Sequence, residues 1–342
     1  YCYQESYAEK LPLPSDSLVD SFFSWMDTKL AGRRKYVTLF GGEPLLPGSA
    51  HRNFLLKFVR QCAAHKVDIA VVTNGYNLAE SLDILSQARV REIQVTLDGP
   101  RELHDQRRRL KGGGSSFDRI VEGIDATLAQ GITVNLRMVV DRENLPSLPE
   151  LARFAMEKGW TSNPHFKTQL GRNYELHSCQ TGRSKLYSRL ELHQELFQLI
   201  QEHPEVLEFH RPAFSISRFL FENGQLPEPL FDSCTGAKTE WALDGSGRVY
   251  SCTATVGKPG EELGTFWPKQ EEKADVVADW QDRDVCSVAE CKDCAVRLAC
   301  GGGCASVAKN QHGSVLSPDC RPVRELLSLG VALYNQTELV QE

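Results

Sequence analysis

Tyr36-Val37-Thr38-Leu39-Phe40-Gly41-Gly42-Glu43-Pro44 is a strand signal that stops on two glycines, and it sets the fold of the first half of this chain. Aromatic and β-branched residues favour a pleated strand, and the glycines end it. The stretch reads as a short buried strand over 36–40. The same unit then repeats. A helix is expected over about 51–65, then a strand over 67–73 that stops at Asn74-Gly75. A helix near 78–87 leads to a strand over 93–97, which stops at Asp98-Gly99-Pro100. Phe117, Ile120, Val121, Ile124 and Leu128 share one helical face. A strand over 132–140 and a helix over 148–157 follow. Ahead of the repeat, Leu18, Val19, Phe22, Phe23, Met26 and Leu30 mark an amphipathic helix capped by Ser15 or Ser17. Repeated βα units predict a parallel sheet with helices outside it, and loops after the strand C-termini that build the site. Gly41-Gly42-Glu43, Thr73-Asn74-Gly75 and Asp98-Gly99 all fall in those loops.

The second half is organised by cysteines. Cys234 is followed by Gly247-x4-Cys252, then Cys291-x2-Cys294-x5-Cys300-x3-Cys304, then Cys320. The chain has 11 cysteines, an odd number, and their clustering suits metal better than a disulfide scaffold. Thiolates at these spacings bind soft metals and iron–sulfur clusters, and zinc is the plainer alternative. Cys62 shares a helical face with Phe54, Leu55, Phe58 and Val59 and reads as a buried small hydrophobe. Cys179 lies in a polar stretch with no local sign of a role. Residues 241–243 and 248–251 read as a hairpin joined by Asp244-Gly245-Ser246-Gly247, with Cys234 before it and Cys252 after it. A helix over 186–202 is expected in a proline-punctuated bridge, and a closing helix over 322–334.

The net charge of −6 gives no basic footprint for nucleic acid or an anionic membrane. No apolar run reaches the roughly 20 residues of a membrane span. Neither nucleic acid nor membrane is therefore expected as a partner.

Tyr1-Cys2-Tyr3-Gln4, Phe40-Gly41-Gly42-Glu43-Pro44 and the C-terminal cysteines together resemble radical SAM enzymes with a C-terminal SPASM domain. The resemblance is to the peptide-modifying branch, similar to maturases of ribosomally made peptides and to anaerobic sulfatase-maturating enzymes. It implies an α/β fold: a partial (β/α)6 TIM-type barrel over 1–160, a bridge over 161–229 and an iron–sulfur SPASM domain over 230–342. In that family C-x3-C-x-φ-C follows the first strand. Tyr1 and Cys2 match φ and the last cysteine, so that strand and the other two cysteines are expected before residue 1.

The cofactors implied are S-adenosylmethionine (SAM) and three 4Fe–4S clusters. Cys2 would help hold the SAM-binding cluster. Tyr1, Gly41, Gly42, Glu43, Pro44, Thr73, Asn74, Thr96, Asp98 and Arg137 would line the SAM site, with Glu43 accepting from the methionine ammonium. Asp98 and Arg108, in the run Asp98-Gly99-Pro100…His104-Asp105-x2-Arg108, are the candidates for catalysis. Cys291, Cys294, Cys300 and Cys320 would hold an outer auxiliary cluster, and Cys234, Cys252 and Cys304 an inner one. Either Cys286 completes the inner cluster, or one iron stays open for a substrate thiolate.

The activity implied is reductive cleavage of SAM to a 5′-deoxyadenosyl radical that abstracts hydrogen from a precursor peptide, forming a thioether or carbon–carbon crosslink. A flavodoxin- or ferredoxin-type protein would supply electrons, and the setting would be cytoplasmic. Sulfatase-maturating relatives carry an Asp after the cysteine matching Cys252, where this chain has Thr253. Threonine is no general base near neutral pH, which argues against formylglycine formation. The rivals are a sulfatase-type side-chain maturase, a non-catalytic iron–sulfur or zinc scaffold, and an enzyme acting on a small molecule.

Overall fold

The structure is a computed structural model that describes residues 11–172 and 185–338. Tyr1, Cys2 and Cys179 lie outside the described residues. The chain divides into two compact units.

The first unit comprises residues 26–173 and 199–211. After α1 (Asp16–Lys29), which spans its start, come β1 (Tyr36–Leu39), α2 (Ser49–Ala64), β2 (Asp68–Thr73) and α3 (Leu82–Leu85). Then follow β3 (Val90–Thr96), α4 (Arg101–Arg107), α5 (Phe117–Ala129), β4 (Val134–Val140), α6 (Leu148–Glu157) and β5 (Phe166–Arg172). The five strands pair in parallel in the order β1-β2-β3-β4-β5. Among the described residues the sheet is one strand short of the six that the resemblance implies.

Alternation decides the two faces of this sheet. Ile69, Val71, Ile93, Val95, Val134, Leu136, Met138 and Val140 are buried. Gln94, Thr96, Asn135, Arg137, Lys167 and Gln169 occupy the intervening positions in register. One face is thus an apolar seat for helices and the other is polar. Helix α5 buries Phe117, Ile120, Ile124 and Leu128, the spacing its sequence predicts. Trp160, 2% exposed, donates its indole N–H to Asp125 Oδ1 at 2.7 Å, so its ring is buried without an orphaned donor.

Four expectations change here. Strand β1 is half-exposed rather than buried, because among the described residues it pairs only with β2. The helix expected near 78–87 is a 3-10 turn at Ala79–Ser81 followed by the four residues of α3. Ser81 and Ser86 hydroxyls donate to the Asn77 and Asp83 carbonyls, local bonds that compete with a continuous helix. The charged run after Pro100 is a helix, α4, that buries His104. Strand β5 lies inside the expected bridge yet pairs with β4 along its length. Phe209 of α8 (Val206–Phe209), beyond α7 (Arg189–Glu202), packs on Phe166 of β5 with ring centroids 6.2 Å apart. The span 161–229 thus contributes residues to both units.

The second unit comprises residues 1–25, 174–198 and 212–342. It contains α9 (Ser217–Asn223) and a four-stranded antiparallel sheet of β6 (Ala242–Leu243), β7 (Arg248–Tyr250), β8 (Glu262–Thr265) and β9 (Glu271–Glu272). Beyond the sheet are α10 (Ala274–Gln281), α11 (Arg297–Cys300), α12 (Ala305–His312) and α13 (Val323–Glu338). The predicted hairpin is β6–β7, with Leu243 opposite Val249. Asp244 shapes its turn by accepting from the N–H groups of Ser246 and Arg248. Phe22 and Trp25 pack edge-on against Phe266 and Trp241. Among the described residues no helix is long and apolar enough to cross a membrane.

Candidate functional site

The loops after β1 and β2 are stitched together by one carboxylate. Gly41 and Gly42, with φ of 88° and 55°, carry the chain through left-handed backbone that places Glu43 against β2. Glu43 Oε1 accepts from the Leu45 N–H at 2.9 Å and the Thr73 hydroxyl at 2.6 Å. Its Oε2 accepts from the Asn74 N–H at 2.7 Å. A carboxylate offers about four acceptor positions, so one on Oε2 remains for a ligand. The direct role expected for Glu43 is thereby narrowed. It first fixes Thr73 and Asn74 at the rim and has a single position left for an ammonium donor. Pro44 follows it in the same loop.

Thr96 stands opposite Arg137 in the β3–β4 register, on the polar face. Arg137 Nε is buried without a hydrogen-bond partner, and so is Asn135 Oδ1 two residues before it. Gly171 makes room for the guanidinium, since a Cβ there would lie 2.9 Å from Arg137 Nε. An orphaned buried guanidinium N–H costs free energy unless an acceptor arrives. Arg137 thus keeps a donor, and Glu43 an acceptor position, for an incoming ligand.

Asp98 is a different case. It is 0% exposed, and both carboxylate oxygens are occupied. Oδ1 accepts from the Val139 N–H at 2.9 Å, and Oδ2 accepts from Arg108 Nε at 2.8 Å. Its backbone carbonyl accepts from Asn144 Nδ2 at 2.9 Å. Asp98 ties β3, β4 and the end of α4 together. Arg108, a quarter exposed, is held by this carboxylate. Arg107 forks onto Asp141 at 3.1 and 2.8 Å.

His104 completes this hub. Its Nδ1 accepts from the Asp98 N–H at 3.2 Å, which assigns the proton to Nε2, facing Ser116 Oγ at 3.2 Å. Burial pushes the imidazole down to about 4, with Asp98 opposing and Arg108 adding to the effect. The unfolded chain therefore binds a proton that the folded chain refuses between pH of about 6.5 and about 4. The stabilisation is complete above that window and is lost as pH falls through it, by about 3 kcal/mol in total. His104→Asn keeps an acceptor but does not titrate. Its stability, measured by urea unfolding, should fall less steeply with acid across this window, whereas a wild-type slope would contradict the assignment.

The nine described cysteines are all free, and eight of them lie in the second unit. The ninth, Cys62, lies in the first unit. It is 0% exposed with its thiol pushed up to about 12 by burial, as expected of a core residue. The others sort by their mutual influence. Loss of hydration raises Cys291, and Cys300, Cys320 and Cys294 raise it further. Cys320 is raised in the same way, with Cys300 and Cys294 adding. Burial pushes Cys252 up to about 12, with Glu240, Cys304 and Cys234 adding. Burial also raises Cys304, and Cys234 adds to it. Two sets thus form, one of four thiols and one of three. Among the described residues no group of three or more His, Cys, Asp or Glu is placed to hold a single ion. Cys286 is exposed in a turn where Asp284 Oδ1 accepts its N–H at 2.7 Å. It is not among the thiols that raise Cys252 or Cys304.

Arg283 is the post between the cysteine loops. It is 1% exposed and donates to the Val315 and Gly302 carbonyls at 2.7 Å and to Asp232 Oδ1 at 2.9 Å. Gly303 has no space for a side chain, since a Cβ would lie 2.0 Å from the Asp319 carbonyl oxygen. That close approach lets Asp319 Oδ2 accept from the Cys304 N–H at 3.1 Å.

One residue was missed in the sequence. Glu240 Oε1 lies 3.5 Å from the Thr253 N–H, and Oε2 accepts from the Thr235 hydroxyl at 2.7 Å. A carboxylate therefore stands beside Cys252 although residue 253 is a threonine. Its partner lies 13 residues away, so no local motif could have revealed it.

The Radical SAM superfamily model matches residues 1–155. GTP 3',8-cyclase of Agrobacterium fabrum (strain C58 / ATCC 33970) is 34% identical over 167 residues, covering 46% of this chain and 45% of that protein. The serine-type anaerobic sulfatase-maturating enzyme of Bacteroides thetaiotaomicron is 28% identical over 153 residues, covering 42% and 36%. The chain thus spans less than half the length of the curated relatives it matches. Among solved structures, native anSMEcpe with bound AdoMet and Kp18Cys peptide has a TM-score of 0.69 at 18% identity, covering 98% of this chain and 94% of that one. At that identity the likeness shows the fold, shared with anaerobic sulfatase-maturating enzymes across both units. Residues 1–155 of this chain are a Radical SAM superfamily domain.

Proposed function

We propose that this chain is a radical SAM/SPASM peptide maturase that crosslinks a ribosomally made precursor peptide through a thioether or carbon–carbon bond. The observation that carries the reading is the pairing of a ligand-ready polar sheet face with two sets of free thiols in the second unit. Bound at Arg137, Thr96 and Glu43, SAM would supply a 5′-deoxyadenosyl radical on one-electron reduction. The chain's own Arg137, Thr96 and Glu43 would orient that ligand. Cys291, Cys294, Cys300 and Cys320 would hold one auxiliary cluster, and Cys234, Cys252 and Cys304 the other. Each thiolate of a 4Fe–4S cluster binds its own iron, so its ligands do not converge on one ion. Electrons would come from a flavodoxin- or ferredoxin-type protein. Complexes of a fold neighbour with peptides support a peptide as substrate. The cyclase relatives match only over part of the chain and leave the substrate open.

Glu240 favours a second reading. Beside Cys252 it could take a proton during oxidation of a substrate side chain, which would make the enzyme a sulfatase-type maturase. Mass spectrometry with hydrazide labelling separates the two. Crosslinking predicts a peptide that loses a pair of hydrogen atoms and carries no hydrazide-reactive aldehyde. A hydrazide-reactive product whose formation is abolished by Glu240→Gln would establish the second reading and remove the first.

A further inference from the structure

The N-terminal ends of β1, β2 and β3 lie at the opposite edge of the sheet from the Glu43 and Thr73 loops, and they border a cavity of about 400 Å³. Arg34, Lys35, Arg89 and Arg91 line it, together with Tyr36 and Asp68. Four cations thus meet one carboxylate among the described residues, in a chain whose net charge is −6. Like charges around one cleft repel each other, and their fields add inside it.

Two of the four are already engaged. Arg89 Nε lies 3.7 Å from Asp68 Oδ2. Lys35 Nζ lies 3.5 Å from Asp27 Oδ1 and donates to the Leu30 carbonyl at 3.3 Å. Asp27 is itself shared with His65, whose Nδ1 is 3.0 Å from Oδ2. Among the described residues neither Arg34 nor Arg91 pairs with a carboxylate. Arg91, on β3, instead reaches the Tyr36 ring of β1, two strands away, with Cζ 4.6 Å from the ring centroid. A cation–π contact holds the guanidinium in place without a carboxylate, so its charge stays available to an anion.

The guanidinium is the side-chain group whose N–H fork matches an oxyanion two bonds at a time. A phosphate group concentrates up to two negative charges on three oxygens, a density that several cations around one small cavity can share. An acidic peptide spreads its charges along a chain and suits a groove instead. The volume is within the range of sites for small molecules.

We propose that this cavity binds the phosphate groups of a small molecule, free or borne by a nucleotide, on the donors of Arg34, Arg89 and Arg91. The site is separate from the loops where SAM is proposed to bind, so either can fail alone.

The test is anaerobic titration calorimetry of the iron-loaded full-length protein with pyrophosphate, then with ADP. A single equivalent of pyrophosphate should bind. Arg34→Gln or Arg91→Gln should weaken it about ten-fold or more, the loss expected of a charged hydrogen bond. Asp68→Asn should tighten it, because the one opposing carboxylate is gone, and Arg137→Ala should leave it unchanged. Should Arg91→Gln not fold, judged by circular dichroism, Arg34→Gln, outside the strands, carries the comparison. Equal affinity for ADP would assign recognition to the phosphates alone, and tighter ADP would add the nucleoside. No binding of pyrophosphate at millimolar concentration overturns the proposal, and so does an affinity unmoved in both arginine variants. A hexaglutamate peptide that binds as tightly would also overturn it, giving the cavity to an acidic chain.

Discussion

Asp98→Ala should destabilise the first unit by about 3 kcal/mol, the lower end of what breaking a buried ion pair costs. The carboxylate holds Arg108 Nε at 2.8 Å and the Val139 N–H at 2.9 Å with no exposure of its own. Its removal leaves the buried Val139 N–H without this acceptor and takes a carboxylate from Arg108. Arg108 is a quarter exposed and can recover part of its hydration, which is why the lower end applies. Urea unfolding of Asp98→Ala measures the loss. Wild-type stability combined with abolished turnover would instead restore Asp98 as a group acting on substrate.

The second large effect is on metal. Reconstituted full-length protein should bind about twelve irons, in three four-iron clusters. Cys291→Ala, or the same change at Cys294, Cys300 or Cys320, should remove about four of them, whereas Cys62→Ala should remove none. Loss of all iron or of none from the Cys291 variant would break the division of the thiols into two sets. Cys286→Ala decides the remaining question in the same assay. Lost inner-cluster iron makes Cys286 a ligand, and unchanged iron leaves that position open to substrate.

The sheet was legible where both the strand and its stop were local. Strands β2, β3 and β4 carry runs such as Asp68–Thr73 whose apolar residues need helices, and each ends at Gly, Asn or Asp. Helix α6 begins and ends at the residues its periodicity marks, with a proline in its first turn. Strand β5 was hidden because Lys167 and Gln169 look like surface, and only the polar face of the sheet explains them. Helix α4 was hidden for a related reason. Arg101–Arg107 has a single buried member, His104, and its partners Asp98 and Ser116 are six and twelve residues away. The grouping of the cysteines followed from family likeness, and spacing alone would not have joined Cys234 to Cys252 and Cys304. The carboxylate of Glu240 beside Thr253 is a product of tertiary packing that no motif announces.

Reductive cleavage of SAM bound on the polar face is the reaction proposed for this chain. Its most direct test is the quantification of 5′-deoxyadenosine formed by iron-loaded full-length protein with SAM and a strong reductant. 5′-Deoxyadenosine should accumulate, and it should fall sharply when Arg137→Ala removes the guanidinium whose buried Nε has no partner. Protein that holds iron and sulfide, binds SAM, and still forms no 5′-deoxyadenosine would contradict the proposed reaction.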